Sequence, residues 1–500
     1  MKFRFAALIM AALMLLAVLV GCSDPNGGDK TTTPGGDTPA TTPAPGDSSQ
    51  GTTSEPAPEF VDANYNDADF VVFQRNANAS SYGGYYITSD SVTDTMSEAT
   101  FTRNVAVEDK YKVKIKALEV SDPYKEIRTY ITSGDIPFDV ILDRRTYMGS
   151  LAQEGYLYNF RNLEYIDMTR SYWDSNCAES YDVAGKLFFM ANDISVSNLA
   201  GARFFYFNKQ LLGEYDLENP YDLVEKNQWT LEKFLTMVNS VSTDNGDGIW
   251  DGNDVYGLCS ETGSSNGNIM HLLVGCGINF IDKTADGLTT NAYTEKTQNI
   301  MTSVAAALIG NQSVLSYEDA AAGADMTGFA NKFDYGRSLF ANDHFLFIQG
   351  NMGVSSQLKD MKSDYGVAPN PKYDSAQQSY FHKMDRFSLI WAIPKCEMDY
   401  DRVGIIMEYW AYESSQTVMP AYYEITIKTK RVQEETASQM IDLIKDSIRY
   451  DLSELYNSDI LSVLYTGYEN GNLSSTWASS KKLMGKSFDK VYKAISELED

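Results

Sequence analysis

Between residues 68 and 155 the chain alternates short apolar runs with stretches of helical spacing, and that alternation restricts the folds open to it. Ala68-Asp69-Phe70-Val71-Val72-Phe73 has the β-branched and aromatic content of a strand. Residues 96–111 carry helical spacing, and 111–116 alternate with the period of a half-buried strand. Phe138-Asp139-Val140-Ile141-Leu142 reads as a buried strand, and 147–154 as a helix stopped by Gly155. Strand, helix, strand, helix predicts an α/β body with helices on a mostly parallel sheet. Two more strands are expected at 187–190 and 202–207.

The segment before this body differs in kind. Lys2 and Arg4 precede an uncharged apolar run at 6–20, shorter than the roughly 20 residues that span a bilayer core. A basic start, a short apolar run and a small residue before the cut describe a secretory signal over 1–21. Its end, Leu19-Val20-Gly21-Cys22, resembles the lipobox of bacterial lipoproteins, whose cysteine is acylated and becomes the new N-terminus. That resemblance makes Cys22 the expected lipid anchor; an ordinary signal with a chance cysteine is the alternative. Residues 22–59 are rich in Gly, Pro, Thr and Ser, with almost no large apolar side chain. Such a segment cannot bury enough surface to offset the entropy of ordering, so a flexible tether is expected, with 60–500 as the folded body.

The chain holds 68 acidic against 41 basic residues, a formal charge of −27. Phosphate backbones need a basic surface, so nucleic acid is excluded as a partner. Besides Cys22 there are Cys177, Cys259, Cys276 and Cys396, with no paired spacing that marks a metal site. One or two disulfides and four buried thiols are both compatible with that spacing. His271, His344 and His382 stand far apart and read as structural.

The order of several motifs is more specific. Phe205-Tyr206-Phe207-Asn208-Lys209-Gln210-Leu211, Asn219-Pro220 and Trp229-Thr230-Leu231-Glu232-Lys233-Phe234 together resemble the signature stretch of family 1 extracellular solute-binding proteins, the substrate receptors of ABC importers. Further similar stretches are Asp139-Val140-Ile141 with 151–157, Tyr172-Trp173-Asp174 before 185–189, Tyr365-Gly366-Val367-Ala368-Pro369, and Pro420-Ala421-Tyr422-Tyr423-Glu424. The usual glycine-lysine before Phe345 is replaced by Asn342-Asp343-His344, and the double tryptophan often found at 172–173 keeps only Trp173. The resemblance implies an α/β, two-lobed periplasmic-binding-protein-like fold of type II. One lobe spans about 66–194 and 381–418, the other about 196–380 and 419–500. Crossing hinge segments are placed near 192–198, 380–385 and 416–422. Apolar residues at helical spacing close the chain: Ile441, Ile444 and Ile448, then Phe488, Val491, Ile495 and Leu498.

Two motifs carry chemistry of their own. Residues 243–254 follow the EF-hand loop, with Thr243, Asn245, Asp247, Ile249 (through its carbonyl), Asp251 and Asp254 at the ligand positions and Gly248 at the turn. A structural calcium ion is expected there; an unmetallated Asx-rich turn is the alternative, since Thr243 is not an acid and Asp254 is shorter than Glu. Gly263-Ser264-Ser265-Asn266-Gly267 matches the G-x-S-x-G pattern of a nucleophile elbow, with His344 or His382 as conceivable bases. A catalytic role is not expected.

Aromatic rings stack on the C–H faces of sugars while acids and amides bind hydroxyls, and the chain holds 33 Tyr, 23 Phe and 6 Trp. Most belong to the core. The expected ligand contacts are Asp143 at a strand's carboxyl end, where α/β sheets bind ligands, with Trp173, Asp193, Asn351, Trp391, Tyr422, Tyr423 and Glu424. The reading is a monomeric, lipid-anchored extracellular receptor that hands an oligosaccharide or other polyhydroxy solute to an ABC permease, without chemistry. The rivals are a surface-displayed glycosidase or esterase and a non-transporting sugar sensor or adhesin.

Overall fold

The computed structural model describes residues 58–76, 87–89, 92–428, 435–456 and 459–499. Residues 1–57, with the expected signal and Cys22, lie outside the described residues. Among the described residues no helix is long and apolar enough to cross a membrane.

Two sheets organise the body. In the first, the strands Ala68–Arg75, Val113–Val120 and Val140–Arg144 run parallel, with Ala68–Arg75 in the middle. Leu389–Ala392 returns from late in the chain and closes the edge antiparallel to Val140–Arg144, placing Trp391 opposite Leu142. The helix Thr95–Tyr111 joins the first two strands. Asp94 caps it by accepting from the Ser97 amide, and the Ser97 hydroxyl closes the reciprocal half of the capping box. The helix Tyr400–Gln416 covers this sheet, with Trp410 edge-on to Phe70 at 6.0 Å and beside Trp391 at 6.0 Å.

The second sheet has the order Tyr365–Ala368, Phe204–Asn208, Phe345–Gly350, Val255–Ser260, with Ser242–Thr243 and Val314–Ser316 sharing the last edge. Phe345–Gly350 and Val255–Ser260 are parallel; Phe204–Asn208 runs against both its neighbours. Phe205, Phe234, Phe347 and Trp229 interlock beneath it, and the buried Trp229 indole donates to Pro369 O at 2.7 Å. Thr230 caps the helix Leu231–Asn239, and Trp229 anchors its start.

The lobes are joined where two crossing segments bond to each other. Ala202 and Met384 form an antiparallel bridge, Asp385 N donates to Gly201 O at 2.8 Å, and Arg203 N to Lys383 O at 3.3 Å. A third connection breaks at Thr417, between Tyr400–Gln416 and Val418–Lys428. The chain then packs on the first body at two places and on the second through Glu435–Asp446, against Tyr365–Ala368. Val418–Lys428 packs on Thr95–Tyr111, and Leu452–Leu455 packs on the helix Arg145–Gln153. At Gly149 an added Cβ would lie 1.8 Å from Leu455 O, so only glycine permits that approach.

Some local expectations change. Residues 187–190 form no strand: Met190 makes a single bridge to Trp391, while Leu187 N is taken by Asn159 Oδ1 and Leu187 O by Phe160 N. The ladder is lost because a nearby turn supplies the partners. Ile441 and Ile444 lie on the helix Glu435–Asp446, but Ile448 lies on the strand Ile448–Arg449, paired with His382–Lys383 at the crossing. Helical spacing continued past a helix that had ended. Leu498 likewise follows the end of Leu473–Ser496. All four described cysteines are free thiols, three of them buried.

Candidate functional site

Thr146 and Tyr147 follow the carboxyl end of Val140–Arg144, Ser264 and Ser265 follow that of Val255–Ser260, and all four wall one cavity. Arg75 ends the central strand of the first sheet, and its Nε donates to Asp143 Oδ1 at 3.1 Å. Asp143 is fully buried. Burial raises its pKa, and the Arg75 and Arg144 guanidinium groups pull against that rise. The next residue, Arg144, lies 4.7 Å from the Phe387 ring, and Arg75 lies 5.6 Å from the Tyr147 ring. A cavity of about 570 Å³ opens beside these groups. Tyr124, Thr146 and Tyr147 wall it from the first lobe, Ser264 and Ser265 from the second, and Arg386 from the crossing. That size suits a small ligand, and tyrosine faces with hydroxyl and guanidinium donors suit a polyhydroxy one.

Buried charges pin the crossings behind this cavity. Arg203 Nη1 donates to Asp385 Oδ2 at 3.0 Å, and Arg203 also pairs with Glu261. Asn266 ties the Gly263–Gly267 turn to the same group, donating to Asp385 Oδ2 at 3.0 Å. Arg145 pairs with Glu454 at 2.6 Å and donates to Asp385 O at 2.8 Å; Lys383 also pairs with Glu454. Removing water from so many charges is tolerable only because each finds a partner.

This arrangement is the geometry of a known class of fold. No family model and no curated protein matches the chain. Solved structures do. The galacto-N-biose/lacto-N-biose I-binding protein of an ABC transporter from Bifidobacterium longum, in complex with lacto-N-biose, aligns with a TM-score of 0.55 at 10% identity, over 84% of this chain and 98% of that one. The chain has the two-lobed solute-binding fold. An ABC substrate-binding protein from Listeria monocytogenes in complex with cycloalternan gives a TM-score of 0.54 at 11% identity, over 84% and 99% of the two chains. The GacH receptor of Streptomyces glaucescens, described unliganded and with acarbose, gives 0.52 at 14% identity, over 84% and 99%.

Within this two-lobed fold the residues singled out from sequence fall into separate groups. Trp173 and Asp193 line one cavity of about 350 Å³, with Asp174, Asn192 and Lys445. The Trp173 indole itself is buried and donates to Glu408 Oε2 at 2.7 Å, beside the Tyr172 hydroxyl on Oε1 at 2.6 Å. Burial pushes the Asp193 carboxyl up to about 7; Lys445 opposes the shift and Asp174 adds to it. Asn351 accepts the Tyr206 hydroxyl at its carbonyl, 2.8 Å. Tyr422 and Tyr423 diverge from one helix, with Tyr422 near Tyr206 and Tyr423 near Asp193. Glu424 is exposed, and Trp391 is buried within the first lobe. Sequence reasoning missed Arg75, Tyr147, Arg203, Asp385 and Arg386. Their role comes from pairings across as many as 240 positions, which no local pattern encodes.

The 243–254 loop is closed by its own backbone. Asp254, the buried member, accepts from Asn245 N and Asp251 N at 2.8 Å each. Asp247 Oδ1 accepts from Ile249 N at 2.7 Å, and Thr243 Oγ1 meets Tyr215 OH at 2.5 Å. Among the described residues no three His, Cys, Asp or Glu side chains gather in metal-binding geometry. At the G-x-S-x-G turn, Ser265 faces the cleft. His344 is occupied by Asp254 O at 3.0 Å, and His382 by Ser447 Oγ at 2.8 Å and Asn370 N at 3.0 Å. His382 thus has both ring nitrogens engaged, and His344 precedes the strand Phe345–Gly350, whereas Ser265 follows the carboxyl end of its parallel neighbour Val255–Ser260.

Proposed function

We propose that this chain is the extracellular substrate receptor of an ABC importer, capturing an oligosaccharide or related polyhydroxy solute between its lobes. The observation that carries the reading is the cavity walled jointly by Tyr124 and Tyr147, by Ser264 and Ser265, and by Arg386 at the crossing. A ligand bridging those walls stabilises the closed arrangement of the hinge, which a permease then recognises. The sugars in the solved complexes of similar fold support the ligand class. Asp143, Trp173, Asp193, Asn351, Trp391, Tyr422, Tyr423 and Glu424 stay in the proposal as ligand contacts, although none of them walls that cavity. Calorimetry against a panel of neutral oligosaccharides tests it: one or more should bind with nanomolar-to-micromolar affinity, and Tyr147→Ala should weaken that binding. No heat from any of them removes the sugar reading.

Anchoring through Cys22 and the 22–59 tether completes the proposal, holding the receptor near a permease in the same membrane. Cys22→Ser should release the protein into the medium. A calcium ion on the 243–254 loop would be structural, and the alternating oxygen donors support it. Millimolar calcium should raise Tm above that in chelator; equal values leave the loop a turn.

A further inference from the structure

A further cavity lies away from the cleft. It holds about 910 Å³ and shares no wall residue with the Tyr147–Arg386 cavity. Three cations line it: Lys283, Lys372 and Arg449. With 68 acids in the chain, each would ordinarily find a carboxylate. Among the described residues none of the three makes a salt bridge, and their hydrogen-bond acceptors are neutral. Lys372, only 1% exposed, reaches Asn227 Oδ1 and lies 4.8 Å from the Tyr380 ring. Arg449 donates to Asn279 Oδ1 at 2.8 Å and lies 3.2 Å from the Phe381 ring centre. Lys283 donates to the backbone oxygens of Glu179 and, at 3.0 Å, Asp182.

A second observation points to a missing acceptor. The Tyr380 hydroxyl belongs to the same wall, is buried, and has no hydrogen-bond partner, although the residue is only 8% exposed. An unpaired buried donor costs about 1–3 kcal/mol. Burial holds the pKa values of all three cations below their ordinary range, as expected where counter-charge is short. Nearby acids supply only part of it: Asp451 acts on Arg449, Asp374 on Lys372, and Asp182 and Glu179 on Lys283, each opposing the effect of burial. Asp451 accepts from Phe280 N and Ser453 N, and Asp282 from the Asn279 and Asn291 amides. Glu179, Glu225 and Asp446 also line the cavity and disfavour a highly charged guest.

We propose that this cavity is a second binding site, separate from the cleft, for a small solute carrying one oxyanion group, held by Lys372, Arg449 and the Tyr380 hydroxyl. Helix Ser175–Tyr181 of the first lobe and second-lobe segments both contribute walls.

Calorimetry and thermal shift on the full chain test this, with chloride holding ionic strength constant. The probes are inorganic phosphate and glucuronate, with glucose as the neutral control. At least one anion should bind saturably, and Lys372→Met should weaken it about tenfold or more, the loss expected when a charged hydrogen bond goes. Arg449→Met should do the same, and serves if the buried Lys372 variant fails to fold. Binding of phosphate alone or glucuronate alone identifies the oxyanion. Absence of saturable binding by both, or affinities that the folded variants leave unchanged, overturns the proposal.

Discussion

Single side chains in this protein are set by what burial does to charge. Asp193 keeps its proton in the folded chain up to about pH 7, whereas an unfolded aspartate releases it near 4. The folded state therefore binds more protons across that window, and stability falls as pH rises from about 4 to 7. Asp193→Asn carries no charge and should flatten that slope. It should exceed the parent by about 1–3 kcal/mol at pH 8, less than full burial would give because solvent reaches the carboxyl through its cavity. Urea midpoints measured from pH 4 to 8 check this, and parallel profiles for the two proteins would contradict it. Asp254 matters through its hydrogen bonds, as an acceptor for two loop amides. Asp254→Ala strands both and should cost about 2 kcal/mol or more, read as a lower Tm in chelator, where no ion contributes.

At the scale of elements, the helix Arg145–Gln153 joins the lobes through what it buries. Arg145 lies wholly inside, shared between Glu454 and Tyr181, and Glu454 also serves Lys383 on the crossing. Glu454→Gln leaves two buried cations without their anion and should destabilise by about 3–5 kcal/mol in urea. Adding Arg145→Met should recover part of that loss. Equal stability of Glu454→Gln and the parent would show the network to be inert. The strands Ala68–Arg75, Val140–Arg144 and Phe204–Asn208 were legible in the sequence because their apolar runs match buried strands in length and type. Ile448 was not legible, because apolar spacing cannot reveal that the helix ends at Asp446 and the backbone turns to pair with His382. The site divides the same way. Asp143 was picked out by the strand-end rule and Asn351 by the family resemblance, while Arg203 and Asp385 meet only through the crossing.

As a whole molecule, the body is two sheets tied by few backbone bonds at the crossings and by one buried charge network. Such a joint bends at low cost compared with either core, so a ligand touching both lobes has the leverage to shift it. Small-angle scattering of the full chain, with and without the tightest-binding oligosaccharide, measures that shift most directly. The account predicts a smaller radius of gyration and a shorter maximum dimension at saturation, with both changes lost when Tyr147→Ala prevents binding. Tight binding with superimposable scattering curves would contradict it, because the lobes would then hold the sugar without closing on it.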